Sequence, residues 1–273
     1  MCYATLMVYV EADRMPEQRV RLAAHLADTF NAALIGLSAV AIRAPLAVDG
    51  VLVTETSTAD IKELRAKLAD QGNRFRDIAG AIHRNVEWRP VLDLPTEALA
   101  REARMADLVI IGQQTGPGDV YNSLDPGEAI LKIGRPTLVV PEGLGVLRAD
   151  HVVIGWKDTR EARRAVHDAV PFLRRASRVT IAEICESGEE GAAQERMDDV
   201  VRYMNRHRIG GGPRVILHRD GSDAALLIRL TRDEGADLLV TGAYGHSRLG
   251  ERIFGGVTRE LLATSPICCL MSH

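Results

Sequence analysis

The chain has 273 residues, of which 46% are hydrophobic, 26% charged and 4% aromatic. This composition can form a normal apolar core, and it excludes disordered and collagen-like classes of protein. The 34 Lys and Arg residues nearly balance the 37 Asp and Glu residues, and apolar runs are far shorter than the roughly 20 residues of a membrane helix, so we expect neither nucleic acid nor membrane as a partner.

The first half of the chain alternates apolar, strand-like segments with segments of helical periodicity. The predicted strands are 5–10, 33–39, 87–91, 108–111 and 137–140, and the predicted helices are 16–30, 59–83 and 94–105. The proline and glycine content of segment 42–58 predicts an irregular surface loop.

The second half follows the same order of elements. The predicted strands are 152–156, 179–182, 214–217, 237–241 and 267–271, and the predicted helices are 162–173, 190–208, 224–234 and 257–263. These strands are apolar throughout, without polar alternation, which is typical of strands buried on both faces. The pattern predicts a parallel sheet covered by helices on both sides, with right-handed crossovers.

The chain also repeats itself. The segment Ala106–Gly112 matches Ala236–Gly242 at a shift of 130 residues, and Pro136 matches Pro266 at the same shift. Two separate features in one register indicate a duplicated domain rather than a short-period solenoid. We therefore predict an N-terminal domain over residues 1–143 and a C-terminal domain over residues 150–273, joined by a linker between them.

Four cysteines, at positions 2, 185, 268 and 269, show no Cys-x-x-Cys spacing. The N-terminus has no charged start followed by an apolar segment, as a signal peptide would. We therefore expect a cytoplasmic protein. Cys268 and Cys269 fall in a predicted strand, where neighbouring side chains point to opposite faces, so we interpret them as small buried apolar residues.

We expect the binding site to be formed by the segments that follow the strands, because ligands of doubly wound sheets lie at the carboxyl ends of the strands. Gly242 and Gly245 follow a predicted strand, and Gly255 and Gly256 precede a predicted helix. Glycine allows close backbone approach, and the free N–H groups of a first helical turn favour phosphate. The alternative is a tight turn that needs glycine for geometry alone.

This pattern resembles the universal stress protein family, and specifically its tandem members with two domains in one chain. Nucleotide-binding members carry Gly-x-x-Gly, nine residues, and then Gly-Ser or Gly-Thr, and here Gly242 and Gly245 are followed by nine residues and Gly255. The resemblance implies an α/β fold of two tandem open parallel-sheet domains, Rossmann-like and similar to adenine nucleotide alpha hydrolases. It further implies an intramolecular pseudo-dimer through the last strands, 137–140 and 267–271, and leaves open a homodimer.

The resemblance implies that ATP, with or without Mg²⁺, binds the C-terminal half. The residues that would contact its ribose and phosphates are Gly242, Gly245, Gly255, Gly256, Val257 and Thr258. Thr241 and Ile184 would line the purine pocket. Gly256 replaces the family's Ser or Thr and keeps only the backbone N–H. Lys157 stands where the family has an acidic residue, so either Asp158 substitutes for that carboxylate or Lys157 meets a phosphate.

The first half serves as an internal control for this site. The shift of 130 residues places Gly112, Thr115, Asp125 and Pro126 at the positions of the second-half glycines. Asp125 adds a negative charge where phosphate would lie, and Pro126 lacks an N–H donor. We predict that the first half binds no nucleotide triphosphate.

Three functions follow as hypotheses. In the first, the protein binds ATP or a related adenine nucleotide and acts in stress response through a conformational change or a protein partner, with slow ATP hydrolysis at most. In the second, it binds no nucleotide and acts through protein interactions or another small ligand. The third, a small-molecule enzyme, requires a nucleophile or an acid–base pair, and no compact catalytic or metal-binding motif stands in the sequence.

Overall fold

A computed structural model describes residues 2–42, 46–48, 51–53, 57–113, 119–218, 221–245 and 256–273 of the chain. The fold is α/β, and its internal contacts divide it into two compact units. The N-terminal unit holds residues 3–133 and 142–146, and the C-terminal unit holds residues 134–141 and 147–273 together with the start of the chain. The segment 134–141 thus groups with residues that follow it in sequence, and the domain boundaries at 143 and 150 stay a prediction.

The N-terminal unit contains a parallel sheet with the strand order β6-β1-β2-β5. Its strands are β1 (Thr5–Tyr9), β2 (Ala33–Ala39), β3 (Leu46–Val48), β4 (Val51–Val53), β5 (Val86–Val91) and β6 (Leu108–Gly112). Its helices are α1 (Glu17–Phe30), α2 (Thr58–Gly80), α3 (Pro95–Glu102) and α4 (Pro126–Ile133). A 3-10 turn over Ala103–Met105 follows α3.

Two predictions for the N-terminal unit were wrong. The segment 42–58 is not irregular throughout, because β3 and β4 pair antiparallel; the Asp-Gly sequence between them is a strong hairpin signal. Helix α4 was missed because it is only eight residues long. Its sequence signals are Pro126 at the first helical position and Glu128 in the first turn, and both favour a helix start.

The C-terminal unit contains the strand order β10-β9-β8-β11-β12-β7. Its strands are β7 (Thr137–Val140), β8 (His151–Trp156), β9 (Arg178–Cys185), β10 (Gly212–Leu217), β11 (Leu238–Gly242) and β12 (Cys268–Ser272). Its helices are α5 (Arg160–Asp168), α6 (Val170–Leu173), α7 (Glu190–Arg206), α8 (Asp223–Glu234) and α9 (Gly256–Thr264). Neighbouring strands are parallel, except that β7 runs antiparallel to β12. The predicted pairing of segments 137–140 and 267–271 is therefore confirmed.

The predicted helix over residues 162–173 is two helices in the structure. Helix α5 ends at Asp168, and α6 begins at Val170 with Pro171 as its second residue. Proline has no N–H to continue the hydrogen-bond pattern of α5, so the chain begins a new helix there. The other predicted elements of this unit are confirmed, with ends that differ by a few residues.

The core of the C-terminal unit lies against its central strands. The apolar side chains of β8, β11 and β12 are at most 8% exposed, as the absence of polar alternation predicts. Strand β10 forms the edge of the sheet and is largely exposed or half-buried. Among the described residues, no helix is both long and apolar enough to cross a membrane.

A buried polar network fixes helix α8 to the amino ends of the strands. The Nε2 atom of His151 lies 3.2 Å from both Thr180 Oγ1 and Glu234 Oε2, and the Thr180 hydroxyl donates to Glu234 Oε2 at 2.7 Å. The Nδ1 atom of His151 lies 3.0 Å from the Glu234 carbonyl oxygen. The side chains of His151 and Glu234 are only 10% and 8% exposed. The network anchors the C-terminal end of α8, whose opposite end reaches the site described below.

Candidate functional site

A cavity of about 200 Å³ lies at the carboxyl ends of the strands of the C-terminal unit. One water molecule occupies roughly 30 Å³ in the liquid. The cavity is several times larger, so it can admit an organic group. Its lining residues come from β8, β9, β11, the start of α5, α8 and the start of α9: Gly155, Trp156, Lys157, Thr159, Ala162, Ala182, Ile184, Asp223, Leu227, Thr241, Gly242, Tyr244, Gly245, Gly256, Val257 and Thr258.

The cavity brings together eight of the ten residues proposed from the sequence, namely Lys157, Ile184, Thr241, Gly242, Gly245, Gly256, Val257 and Thr258. Gly255 lies outside the described residues, as do His246, Ser247, Arg248 and Arg252. Asp158 does not line the cavity. Its carboxylate pairs instead with the guanidinium of Arg163. Asp158 is the second residue after the end of β8.

The position of the cavity follows from the strand order. Strand β8 has β9 on one side and β11 on the other. The chain therefore continues from β8 to β9 on one side and later returns to form β11 on the other side. The two crossovers lie on opposite faces, and a crevice opens between them at the carboxyl ends of β8 and β11. Gly155 and Trp156 of β8 and Thr241 and Gly242 of β11 line this crevice.

Gly242 has a packing role that is independent of any ligand. A Cβ atom at this position would lie 2.6 Å from the backbone nitrogen of Ala162 and 2.7 Å from the carbonyl carbon of Glu161. Both are backbone atoms of α5 that cannot move aside easily. Glycine therefore allows β11 to lie against the first turn of α5.

Tyr244 and Gly245 follow β11 at the cavity, and a hydrogen bond joins Tyr244 to Thr258 of α9. Tyr244 has a left-handed backbone with φ of 58°, and its N–H donates to the hydroxyl oxygen of Thr258 at 3.2 Å. Because the Thr258 oxygen accepts this bond, its own proton remains available as a donor. A Cβ atom on Gly245 would lie 3.2 Å from Glu161 Oε2 and 3.3 Å from Thr159 Oγ1, so a larger side chain there would crowd both groups.

Charges of both signs surround the cavity. Lys157 and the first turn of α9, which begins at Gly256, provide positive potential. Glu161 is buried beside Gly245. Burial acts to raise the pKa of Glu161, but hydrogen bonds, above all from Arg160, outweigh burial and lower this pKa. The Glu161 carboxylate therefore stays ionised at neutral pH, with its charge balanced by Arg160.

Two residues of α8 that were not predicted from the sequence also line the cavity. Asp223 and Leu227 reach the cavity from this helix, and the Ser222 hydroxyl accepts the N–H of Ala225 at its start. Asp223 lies beyond the end of β10, so applying the rule of strand carboxyl ends to that strand would have found it.

The corresponding region of the N-terminal unit is filled by its own side chains. Arg19 is 6% exposed; it donates to the Tyr9 carbonyl oxygen at 3.0 Å and to the Glu11 carboxylate at 2.8 Å. A Cβ atom on Gly112 would lie 2.9 Å from the Arg19 guanidinium carbon. The guanidinium therefore covers the glycine that matches Gly242.

The start of α4 in this unit is also capped internally. The Asp125 carboxylate accepts the N–H of Glu128 at 2.9 Å, and Pro126 supplies no N–H. The negative charge of Asp125 thus occupies the helix start that would otherwise attract phosphate. Thr115 lies outside the described residues.

The cysteines of β12 are thiols, as the sequence predicts. Cys185, Cys268 and Cys269 are buried and Cys2 is exposed, and none of the four forms a disulfide among the described residues. Burial raises the pKa of Cys268 and raises that of Cys269 to about 12, so both are protonated and unreactive at neutral pH.

Comparisons with known proteins agree with this architecture. Residues 148–273 match the model of the universal stress protein family. A universal stress protein from Archaeoglobus fulgidus is 13% identical with a TM-score of 0.76, covering 98% of this chain and 95% of that one. A functionally unknown protein from Pseudomonas aeruginosa is 12% identical with a TM-score of 0.61, covering 99% and 92%.

A universal stress protein solved in complex with cAMP is 22% identical with a TM-score of 0.38, covering 52% of this chain and all of that one. The complex with cAMP is an observation on that protein. No curated protein matches the chain. At these identities the solved structures establish the fold, and the family match covers the C-terminal part. The chain therefore has the fold of universal stress proteins, and its residues 148–273 form a universal stress protein domain.

Proposed function

We propose that the C-terminal unit binds an adenine nucleotide, ATP, in the cavity between β8 and β11. The observation that carries this proposal is the convergence of the predicted residues. Eight of them, from four separate parts of the chain, line one cavity at the switch point of the sheet. A site taken from the glycine spacing and from the family resemblance thus coincides with the position where the fold favours a ligand.

The lining groups suit the parts of a nucleotide. Ile184 and Thr241 offer a partly apolar wall for the base. The N–H groups at the start of α9, the Thr258 hydroxyl and Lys157 can bind the phosphates, and Asp223 offers a carboxylate that accepts hydrogen bonds from hydroxyl groups. Mg²⁺ would enter with the phosphates of the nucleotide.

The proposal includes a regulatory role rather than catalysis. A nucleotide held by backbone N–H groups, a hydroxyl and a lysine is positioned, and we expect its hydrolysis to be slow. The protein would act in stress response through conformation or through a protein partner, in the cytoplasm, where cysteines stay reduced, as the thiols of β12 are. The N-terminal unit would bind no nucleotide, because Arg19 and Asp125 occupy the equivalent positions.

One observation favours a second candidate, a stress protein that acts through protein interactions or another small ligand. Gly242 is required by its contact with α5, so its presence does not by itself indicate a ligand. Gly256 is different, because a Cβ atom there would meet no atom of the described residues within 4 Å. A substitution at Gly256 therefore tests ligand binding without disturbing the packing of those residues.

The experiment is thermal unfolding with and without millimolar ATP and Mg²⁺, for the natural protein and for Gly256→Asp. A ligand that binds only the folded state at about 100 times its Kd adds about 2.7 kcal/mol, which raises Tm by several degrees. Gly256 is the first residue of α9, where a carboxylate favours the helix but repels phosphate. We expect Gly256→Asp to keep the Tm of the free protein and to lose the ATP shift.

Gly256→Ser is the matched control, since it adds a hydroxyl donor at the same place without adding charge. It should retain or enlarge the ATP shift. Absence of a shift in the natural protein would contradict nucleotide binding and favour the second candidate. Equal shifts in the natural protein and Gly256→Asp would place the nucleotide somewhere other than the start of α9.

A further inference from the structure

A second cavity lies in the C-terminal unit, in the groove between α5 and α7. Its volume is about 510 Å³. Trp156 of β8 lies at its base, Val166 of α5 forms one wall, and Val200 and Tyr203 of α7 form the other. The proposed nucleotide site involves neither Val166, Val200 nor Tyr203.

The direction of Trp156 follows from strand geometry. A Cβ atom on Gly155 would contact the Thr241 methyl group and Leu227 of α8, so residue 155 faces the side of the sheet that α8 covers. Because neighbouring side chains of a strand point to opposite faces, Trp156 faces the side where α5 and α7 line the groove with it.

The indole of Trp156 has an unsatisfied donor. Trp156 is 8% exposed, and its Nε1 atom is buried with no hydrogen-bond partner among the described residues. A buried polar group without a partner is destabilising, because it has given up its hydrogen bond to water and gained none in return. By contrast, the indole of Trp88 in the N-terminal unit donates to the Leu68 carbonyl oxygen at 3.1 Å.

The charges around the groove are already paired. Arg163 pairs with Asp158, and Asp199 pairs with Arg202. Arg196 donates from Nε to Glu183 Oε1 at 2.9 Å, and this bond raises the pKa of Arg196.

Glu183 is the neighbour of Trp156 in the parallel register of β8 and β9. It is 5% exposed, and its Oε2 atom has no partner among the described residues. Each cation among the described residues that line the groove is therefore paired, and the buried carboxylate of Glu183 disfavours an anion.

We infer that the groove between α5 and α7 binds an uncharged, largely apolar small molecule whose hydrogen-bond acceptor meets Trp156 Nε1. The Trp156 and Tyr203 rings and the two valines provide the apolar contact area. The indole N–H fixes the acceptor, and the paired charges at the rim exclude ionic competitors. Such a combination of apolar walls with few polar groups is typical of small-molecule sites.

The test uses prodan, an uncharged dimethylaminonaphthalene ketone with one carbonyl acceptor, whose emission shifts to the blue and intensifies in apolar surroundings. Titration of the full chain should give saturable binding. Trp156→Phe keeps an aromatic ring but removes the N–H donor, and we expect binding roughly three- to tenfold weaker. Trp88→Phe, the matched control, should bind as the natural protein does, with energy transfer from Trp156 to the probe.

Val200→Phe separates this groove from the proposed nucleotide site, because Val200 lines only the groove. It should fill the volume and weaken prodan at least about tenfold. Tyr203→Ala, at a half-buried position that tolerates truncation, provides a second variant if Val200→Phe does not fold. We expect it to weaken binding as well, with the circular dichroism spectrum unchanged.

The charge requirement is tested with the analogue of prodan that carries a carboxylate in place of the ketone. We expect it to bind at least about tenfold more weakly. Three results would overturn the inference: no saturable prodan binding, unchanged binding by folded Val200→Phe or Tyr203→Ala, or equal binding of the carboxylate analogue. Trp156 lines both cavities, whereas Val200 and Tyr203 are not among the residues that line the glycine-lined cavity. The ATP shift of the proposed function is therefore measured in Val200→Phe and Tyr203→Ala.

Discussion

The α-carbon of Gly242 lies directly against the backbone nitrogen of Ala162, so that a Cβ atom at position 242 would come within 2.6 Å of that nitrogen. The contact joins the end of β11 to the first turn of α5, and both contribute to the same cavity. A residue that the sequence associates with phosphate binding thus has a structural role of its own, and the two roles call for separate measurements.

We predict that Gly242→Ala lowers the free energy of unfolding by about 1–3 kcal/mol, because the methyl group meets backbone that cannot move aside. Chemical denaturation without nucleotide measures this effect. Gly256→Ala is the matched control. Its Cβ atom would meet no atom within 4 Å in the part of the chain that the structure describes, so we expect no loss and a gain of up to about 1 kcal/mol. Equal losses in both variants would contradict the packing role of Gly242.

We predict that Arg19→Leu lowers the free energy of unfolding by about 2–4 kcal/mol, since it leaves the carboxylate of Glu11 without its buried partner. The ATP-induced rise in Tm should be unchanged, because we assign the nucleotide to the other unit. Arg21→Leu alters an exposed residue of the same helix and should change stability by less than about 0.5 kcal/mol. Loss of the ATP shift in Arg19→Leu would argue for a nucleotide in the N-terminal unit.

We predict that Glu234→Gln costs about 1–3 kcal/mol of stability. The Thr180 hydroxyl and the Arg178 guanidinium both donate to Oε2 of this carboxylate, and the neutral amide removes the negative charge that strengthens both bonds. Asp233→Asn, at the exposed neighbouring position, is the control and should be nearly neutral. Urea denaturation compares the two variants, and a neutral result for Glu234→Gln would show that the network does not anchor α8.

Cys269 should make stability depend on pH in the alkaline range. Burial raises its pKa from 9.0 to about 12 in the folded chain, so folding keeps a proton that the unfolded chain releases. The contribution is fully present below pH 9 and is lost as pH rises from 9 towards 12, at about 1.4 kcal/mol per pH unit. Denaturation at pH 8.5 and pH 10 should show a smaller loss for Cys269→Ala than for the natural protein. Identical losses would contradict the shifted pKa.

The alternation of strands and helices was predictable because it depends on local pattern. Apolar runs without polar alternation indicated buried parallel strands, and the repeat at 130 residues indicated two related halves. Helix α4 and the β3–β4 pair were missed because short elements carry little periodicity. The break at Pro171 was visible in the sequence, but apolar spacing continues across it and favoured one helix.

The candidate site was predictable in part. Glycine spacing identified Gly242, Gly245 and Gly256, and position after a strand identified Lys157, because parallel strands end at a common edge. Asp223 was missed because α8 approaches that edge from a distant part of the sequence. Asp158 was proposed because it neighbours Lys157, yet it pairs with Arg163 outside the cavity, since successive residues after a strand point in different directions.

The sequence by itself thus determined the class of fold, the duplication and the segments that meet at the cavity, because these depend on periodicity and spacing along the chain. Only the tertiary structure decided which atoms of separate elements approach each other. The contact of Gly242 with Ala162, the guanidinium of Arg19 over Gly112 and the groove that Trp156 lines with Val200 all join residues from separate elements. Their distances are set by how helices pack on strands, which sequence spacing does not specify.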